Sequence, residues 1–146
     1  MMLLSIVAVG KFRSRELGTL HAEFVKRLGG YAKVRLVEVA DSDVAGEGRA
    51  ICRELDRERG AKIVALSEEG ERLSTAGFAK FLKACDSRVV FVVGGPFGLA
   101  PEVKRRADLI WSLSPLTFTH ELARLLLAEQ LYRALNFNAG GSYHHA

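Results

Sequence analysis

The sequence predicts an α/β fold, a mostly parallel sheet with helices on both faces, in a single domain over residues 1–146. Three observations carry this. Short β-branched apolar runs alternate with amphipathic segments five times along the chain. The run Arg88–Val93 is solidly apolar after its first residue, the pattern of a central strand buried on both sides. No linker-like, low-complexity or repeated segment divides the 146 residues, a length that suits one core.

Each element has its own local signals. Leu3 to Val9 is an apolar strand that ends at Gly10. Ser14 is placed to cap a helix reaching about Leu28, with Leu17, Leu20, Phe24 and Leu28 on one face and Gly29-Gly30 as its stop. Val34 to Val39 is the second strand. Asp41 to Gly48 reads as a polar loop, and Arg49 to Arg59 as a charged helix with Ile51, Cys52 and Leu55 inward, ended by Gly60. Ile63 to Leu66 is a short third strand, followed by a loop over Ser67–Glu71. Ser74 or Thr75 opens a helix that buries Phe78, Phe81 and Leu82. After the fourth strand, Arg88–Val93, comes the loop Gly94-Gly95-Pro96-Phe97-Gly98. Pro101 starts a short helix, Leu109 to Leu113 is the fifth strand, and Ser114 to Phe118 is a loop. Thr119 caps a last helix to about Asn136, and a tail with Tyr143, His144 and His145 closes the chain.

The last helix departs from the one-stripe pattern of a surface helix. Leu122, Ala123, Leu125, Leu126, Leu127, Ala128, Leu131, Tyr132, Ala134 and Leu135 surround its axis. A helix apolar all round must be covered all round. Either it lies in one core with an overlong apolar face, or a partner subunit covers part of it.

Composition narrows the function classes. Hydrophobic residues make up 49% and charged residues 26%, which excludes the disorder signature. The net charge of +4 is concentrated. Between Gly10 and Arg35 lie Lys11, Arg13, Arg15, Lys26, Arg27, Lys33 and Arg35 against Glu16 and Glu23, and a second cluster is Lys104-Arg105-Arg106. Such clusters can be solvated helix faces; two in one small chain favour a polyanion over a neutral metabolite. Two cysteines, Cys52 and Cys85, with no C-x-x-C, argue against a zinc ribbon or disulfide framework. The four histidines lack metal-ligand spacing, and no G-x-S-x-G occurs. The apolar N-terminus is too short for a membrane span and has no basic leader, so a cytoplasmic location is expected.

Ligands of open α/β sheets bind beyond the carboxyl ends of the strands. Three loops occupy that position, after Leu66, Val93 and Leu113. Gly94-Gly95 lets a ligand approach the backbone, although neither a G-x-G-x-x-G nor a P-loop pattern is present. The loop Leu113–Phe118 is unusually apolar and suits a flat organic ligand or a partner surface. With no covalent nucleophile and no metal set, group transfer by positioning fits best.

At these residues the chain resembles the RlmH-like ribosomal RNA large-subunit methyltransferases of the SPOUT superfamily. The resemblance rests on Ile6–Gly10, Ile63–Leu66, Val92–Leu99, Trp111–His120, Leu127–Ala134 and Tyr143-His144, and it runs the length of the chain. The family usually has proline before His120 and before Tyr143; here Thr119 and Ser142 stand there. The resemblance implies a C-terminal trefoil knot and a homodimer paired through the last helix. It also implies S-adenosylmethionine held by Leu66, Gly94, Gly95, Leu113, Ser114, Pro115, Leu116, Thr117 and Phe118. The implied reaction is methylation of N3 of a pseudouridine in 23S ribosomal RNA, within the large subunit or whole ribosome. Candidates on the nucleotide side are Arg124, Arg133, Tyr143 and His144, with His120 as an outsider. Spacings of three and four also allow Arg124 and Arg133 simply to pair with Glu121 and Glu129 along the helix. A related enzyme with another target nucleotide, or a ribosome-binding protein without chemistry, would share most of these features.

Overall fold

The structure is a computed structural model that describes residues 1–85 and 87–145. Its elements are β1 (Met2–Val9), α1 (Arg15–Leu28), β2 (Ala32–Val39), α2 (Val44–Asp56), β3 (Lys62–Arg72), α3 (Thr75–Ala84), β4 (Arg88–Val93), α4 (Pro101–Arg106), β5 (Leu109–Ser112) and α5 (His120–Asn138). The five described strands form one sheet in the order β2-β1-β4-β3-β5, and every pairing is parallel.

Helices cover both faces, as the alternation requires. On one face α1, α3 and α5 bury Leu28, Phe78, Leu82, Leu127, Leu131 and Ala134 against Leu4, Ile6, Phe91 and Trp111. Phe78 stacks on Trp111 with centroids 4.0 Å apart, and Phe91 meets both rings edge-on. On the other face α2 and α4 bring Ile51, Leu55 and Val103 onto Val7, Val90 and Val92. β4 is buried from Val89 to Val93, as expected of a central strand. The predicted caps at Ser14 and Thr119 form, and of the two candidates Ser74 and Thr75 it is Ser74 that caps α3; each accepts a backbone N–H three residues on.

Two expectations need correction. Asp41–Gly48 is not a loop throughout. Asp43 caps α2, accepting the Gly46 N–H at 2.7 Å, and the helix starts at Val44 and ends at Asp56. Gly46 and Gly48 hide this start, since each lowers helix propensity by about 1 kcal/mol. Gly48 is nevertheless required there: a Cβ on it would lie 2.6 Å from Ala100 Cβ, where α2 meets the entry to α4. Ser67–Glu71 is likewise strand. β3 runs on to Arg72 through an irregularity, and Glu71 and Arg72 pair with Trp111 and Ser112 of β5. Gly70 permits the passage, because a Cβ there would come within 2.5 Å of the Ile110 carbonyl oxygen.

α5 packs against α1 and α3. Its stripe Leu127, Leu131 and Ala134 is fully buried. The opposite stripe, Leu122, Leu126, Glu129, Arg133 and Phe137, is not: Leu122 and Phe137 are exposed and the three between them half-buried. No described helix is long and apolar enough to cross a membrane.

Candidate active site

The carboxyl ends of β3, β4 and β5 open onto a cleft of about 930 Å³, at the upper end of the range for small-molecule sites. Of the nine residues expected to hold a cofactor, the cleft is lined by Leu66, Gly94, Gly95, Leu113, Ser114, Leu116, Thr117 and Phe118; Pro115 is exposed and does not line it. Three sequence-distant loops therefore converge because parallel pairing puts their strands side by side.

The two glycines are dictated by the protein itself. A Cβ on Gly94 would sit 2.9 Å from the Gly98 backbone, and one on Gly95 would sit 3.1 Å from Val9 Cγ1 and 3.3 Å from Glu47 Oε1. The turn closes by a Gly98 N–H bond to the Gly95 carbonyl at 3.0 Å, with Gly98 at φ +83°. The turn leaves Phe97 87% exposed at the rim. In the apolar loop, Ser114 Oγ accepts the Leu116 N–H at 3.1 Å, and the Ser112 hydroxyl donates to the Ser114 carbonyl at 2.8 Å.

Sequence reading missed part of this wall. The extension of β3 carries Glu68 and Glu69 onto the rim. Glu68 accepts from the Thr117 hydroxyl. Glu69 pairs with Lys104, whose hydrogen bond and charge hold its carboxyl below the usual range. Trp111 forms part of the floor, and its buried indole N–H has no partner among the described residues. Arg13, Ser14 and Leu17 close the cleft from the β1–α1 side, and His120 and Glu121 stand at the start of α5. The segment after Leu66 was singled out by its place at a strand end, but as a loop and without Glu68 and Glu69; Trp111 carried no local signal of a cleft.

The nucleotide-side candidates divide. Arg133, Tyr143 and His144 form one cluster with Glu129. Arg133 donates to Glu129 Oε1 from Nε at 3.0 Å and from Nη2 at 2.5 Å, and lies 4.7 Å above the Tyr143 ring. Tyr143 donates its hydroxyl proton to the same oxygen at 3.1 Å. Burial, then the Glu129 charge, push the Tyr143 phenol up. His144 Nδ1 lies 3.1 Å from Arg133 Nη1, and a guanidinium only donates, so Nδ1 accepts and the neutral ring carries its proton on Nε2. Asn136 fixes the tail, accepting the Tyr143 N–H at 3.1 Å and donating to the Tyr31 hydroxyl at 2.9 Å.

Arg124 stands apart. It is 6% exposed, donates to the Gly10 carbonyl at 3.2 Å and pairs with Glu38 at 2.9 Å. Arg133 thus pairs with Glu129 as the spacing allowed, whereas Arg124 does not pair with Glu121. None of Arg124, Arg133, Tyr143 and His144 lines the cleft of its own chain. Among the described residues no group of three or more His, Cys, Asp or Glu is placed to hold a metal ion.

Known proteins resemble the chain in sequence and in fold. Residues 2–144 match the family model described as "Predicted SPOUT methyltransferase". A protein of Gloeobacter violaceus named Ribosomal RNA large subunit methyltransferase H is 40% identical over 152 residues, covering 99% of each chain. Among solved structures, a probable methylase family protein from Haemophilus influenzae superposes with a TM-score of 0.62 at 14% identity, over 98% of this chain and 70% of that one. The SpoU methyltransferase AviRb from Streptomyces viridochromogenes, in complex with the cofactor AdoMet, superposes at 0.50 and 15% identity, over 96% and 59%.

Proposed function

The chain belongs to the SPOUT methyltransferase family, and from that premise we propose that it methylates large-subunit ribosomal RNA with S-adenosylmethionine, at N3 of a pseudouridine, as a cytoplasmic homodimer with the family's trefoil knot. The observation that carries the reading is the single cleft that gathers eight of the nine residues the resemblance assigns to the cofactor.

The donor set fits that cofactor. Leu66, Leu113, Leu116 and Phe118 offer apolar walls for a flat purine, and the polar groups of the Ser114 and Gly94-Gly95 backbone lie beside them. Glu68 and Glu69 on the rim suit a ligand with cationic sulfur and ammonium groups. Bound there, S-adenosylmethionine supplies an electrophilic methyl group whose leaving thioether is neutral. The protein's work is therefore alignment and desolvation more than activation of a leaving group.

The tail supplies the other half. Tyr143 stays protonated and His144 presents Nε2–H, so the cluster offers hydrogen-bond donors. Loss of the N3 proton leaves negative charge on the two ring oxygens flanking N3, and donors aimed there stabilise it. In this reading His144 steadies the ring anion and solvent takes the proton. Two copies are needed because the tail cluster lies on the uncovered stripe of α5, away from its own cleft. Along α5, His120 at the cleft and Phe137 beside the tail lie about 26 Å apart. Antiparallel pairing of two such stripes covers Leu122 and Phe137 and brings each tail towards the other copy's cleft.

The test is methyl transfer from labelled S-adenosylmethionine to large subunits or ribosomes lacking the modification, with uridine or pseudouridine at the candidate site, mapped by mass spectrometry. Label on N3 of one pseudouridine is the expected result. Label on another nucleotide would move the target. Cofactor binding without any label would refute the rRNA assignment, and absence of both would refute the enzyme.

A further inference from the structure

The turn joining β1 to α1 carries Lys11 and Arg13, and the first residue of α1 is Arg15; all three are exposed. None of the three forms an ion pair among the described residues, whereas Lys104 across the rim is occupied by Glu69. Their backbone is pinned. Gly10 has φ +78° and its N–H bonds the Val39 carbonyl at 2.8 Å, while its own carbonyl accepts from Arg124. The Phe12 ring lies 4.5 Å under the Arg124 guanidinium and 4.9 Å from the buried His21 ring. The N–H groups of Arg13 and Ser14 both donate to Glu121 Oε1, at 3.0 and 3.1 Å. The first turns of α5 thus clamp a turn whose basic side chains are left to solvent.

Its position is as informative as its charge. Arg13 and Ser14 line the large cleft, and Lys11 and Arg13 border a smaller hollow of about 420 Å³ on the turn's other side. The turn is a ridge at the mouth of the cleft. Holding three unpaired cations close together costs electrostatic free energy unless an anion joins them. A backbone ordered in advance lowers the entropic cost of that binding.

We infer that Lys11, Arg13 and Arg15 form an arm that grips phosphates of the RNA beside the target nucleotide, with Glu121 and Arg124 as positioning residues. This rests on the RNA methyltransferase reading. The arm is a site of affinity and register, since phosphate contacts orient a substrate without reading its bases.

Direct binding of large subunits, followed across a salt series, tests the arm separately from the chemistry. The triple variant K11Q/R13Q/R15Q should bind about ten- to hundredfold more weakly at low salt, and the slope of log affinity against log salt should fall by about 2 to 3, near 0.7 to 0.9 for each lost contact. The double variant K11Q/R15Q, which leaves Arg13 in the cleft wall, should still bind subunits more weakly while matching wild type in affinity for S-adenosylmethionine, measured by calorimetry. Glu121→Ala leaves every cation in place but frees the turn. It should weaken subunit binding severalfold while keeping the wild-type salt slope. Subunit affinity and slope unchanged in the folded triple variant would overturn the inference. So would a triple variant that falls to monomer in sedimentation, which would assign the arm to a second copy of the chain. Absence of methyl transfer by wild type, with the salt effect intact, would sink the reaction and leave the arm.

Discussion

His21 sits beneath the arm, 4% exposed on α1, and gives the most direct physical test of how the arm is seated. Burial pushes its imidazole down from 6.5 to about 4; the Arg124 charge adds to this and Glu38 opposes it. A group depressed in the folded state binds its proton first in the unfolded chain. Its contribution to stability is therefore complete above about pH 6.5 and is lost as pH falls from there towards 4. The gap corresponds to about 3 kcal/mol when fully expressed, of which about 2 kcal/mol is lost by pH 5. His21→Leu keeps most of the volume and removes the titrating ring, including an Nε2 that has no partner among the described residues. Urea unfolding of both proteins, at one fixed protein concentration, measures the difference. Other titrating groups are common to the two proteins and cancel. From pH 7.5 to pH 5.0 the variant should gain about 2 kcal/mol relative to wild type. A difference constant to within about 0.5 kcal/mol would show that His21 protonates freely in the fold, and the seat described here would be wrong.

Three further outcomes bear on the cleft and the tail. Thr117→Trp places a bulky ring in the apolar loop and removes the Glu68 contact, so cofactor affinity should drop at least about tenfold with the melting profile retained; calorimetric binding equal to wild type would move the cofactor elsewhere. His144→Ala should bind cofactor normally and lose about a hundredfold in single-turnover rate, whereas His144→Gln, which keeps a donor, should retain most of it. Equal losses in both would favour a proton-accepting role for the imidazole. Asn136→Leu removes the acceptor of the Tyr143 N–H and the donor to Tyr31, at a cost of about 1–3 kcal/mol, and should make the tail protease-sensitive without changing cofactor affinity; a tail as resistant as wild type would mean the clamp is dispensable.

Legibility in the sequence tracked how local each cause is. Strands β1 and β4 were readable because burial on both sides demands near-continuous apolar runs, broken in β1 by Ser5 and opened in β4 by Arg88. Ser14, Ser74 and Thr119 were readable because a cap acts on an N–H three residues away. The start of α2 and the extension of β3 were not. In both, glycine is selected by a distant backbone or side chain, Ala100 for Gly48 and Ile110 for Gly70, while its local propensity argues against the element. The apolar loop and the Gly-Gly turn, both picked out by their composition, line one cleft. The arginines of α5 could not be ranked, since Arg124 finds Gly10 and Glu38, 114 and 86 residues away, and Arg133 pairs with Glu129 four residues back and meets the tail at His144.

The all-round apolar character of α5 resolves into separate demands placed on one register. Leu127, Leu131 and Ala134 must reach the sheet, and in the same register Glu121 and Arg124 fall on the β1–α1 turn. Leu122, Leu126, Glu129, Arg133 and Phe137 then share the remaining face at spacings of three and four, where the tail docks. A one-residue slip turns the helix by about 100° and would break the core, the turn and the tail together. Thr119, where the family usually has proline one residue before His120, sets this register: its hydroxyl accepts the Leu122 N–H at 3.2 Å and fixes the first turn beside the cleft. The cap therefore links the apolar loop that precedes it to the β1–α1 turn and the tail that depend on the helix behind it.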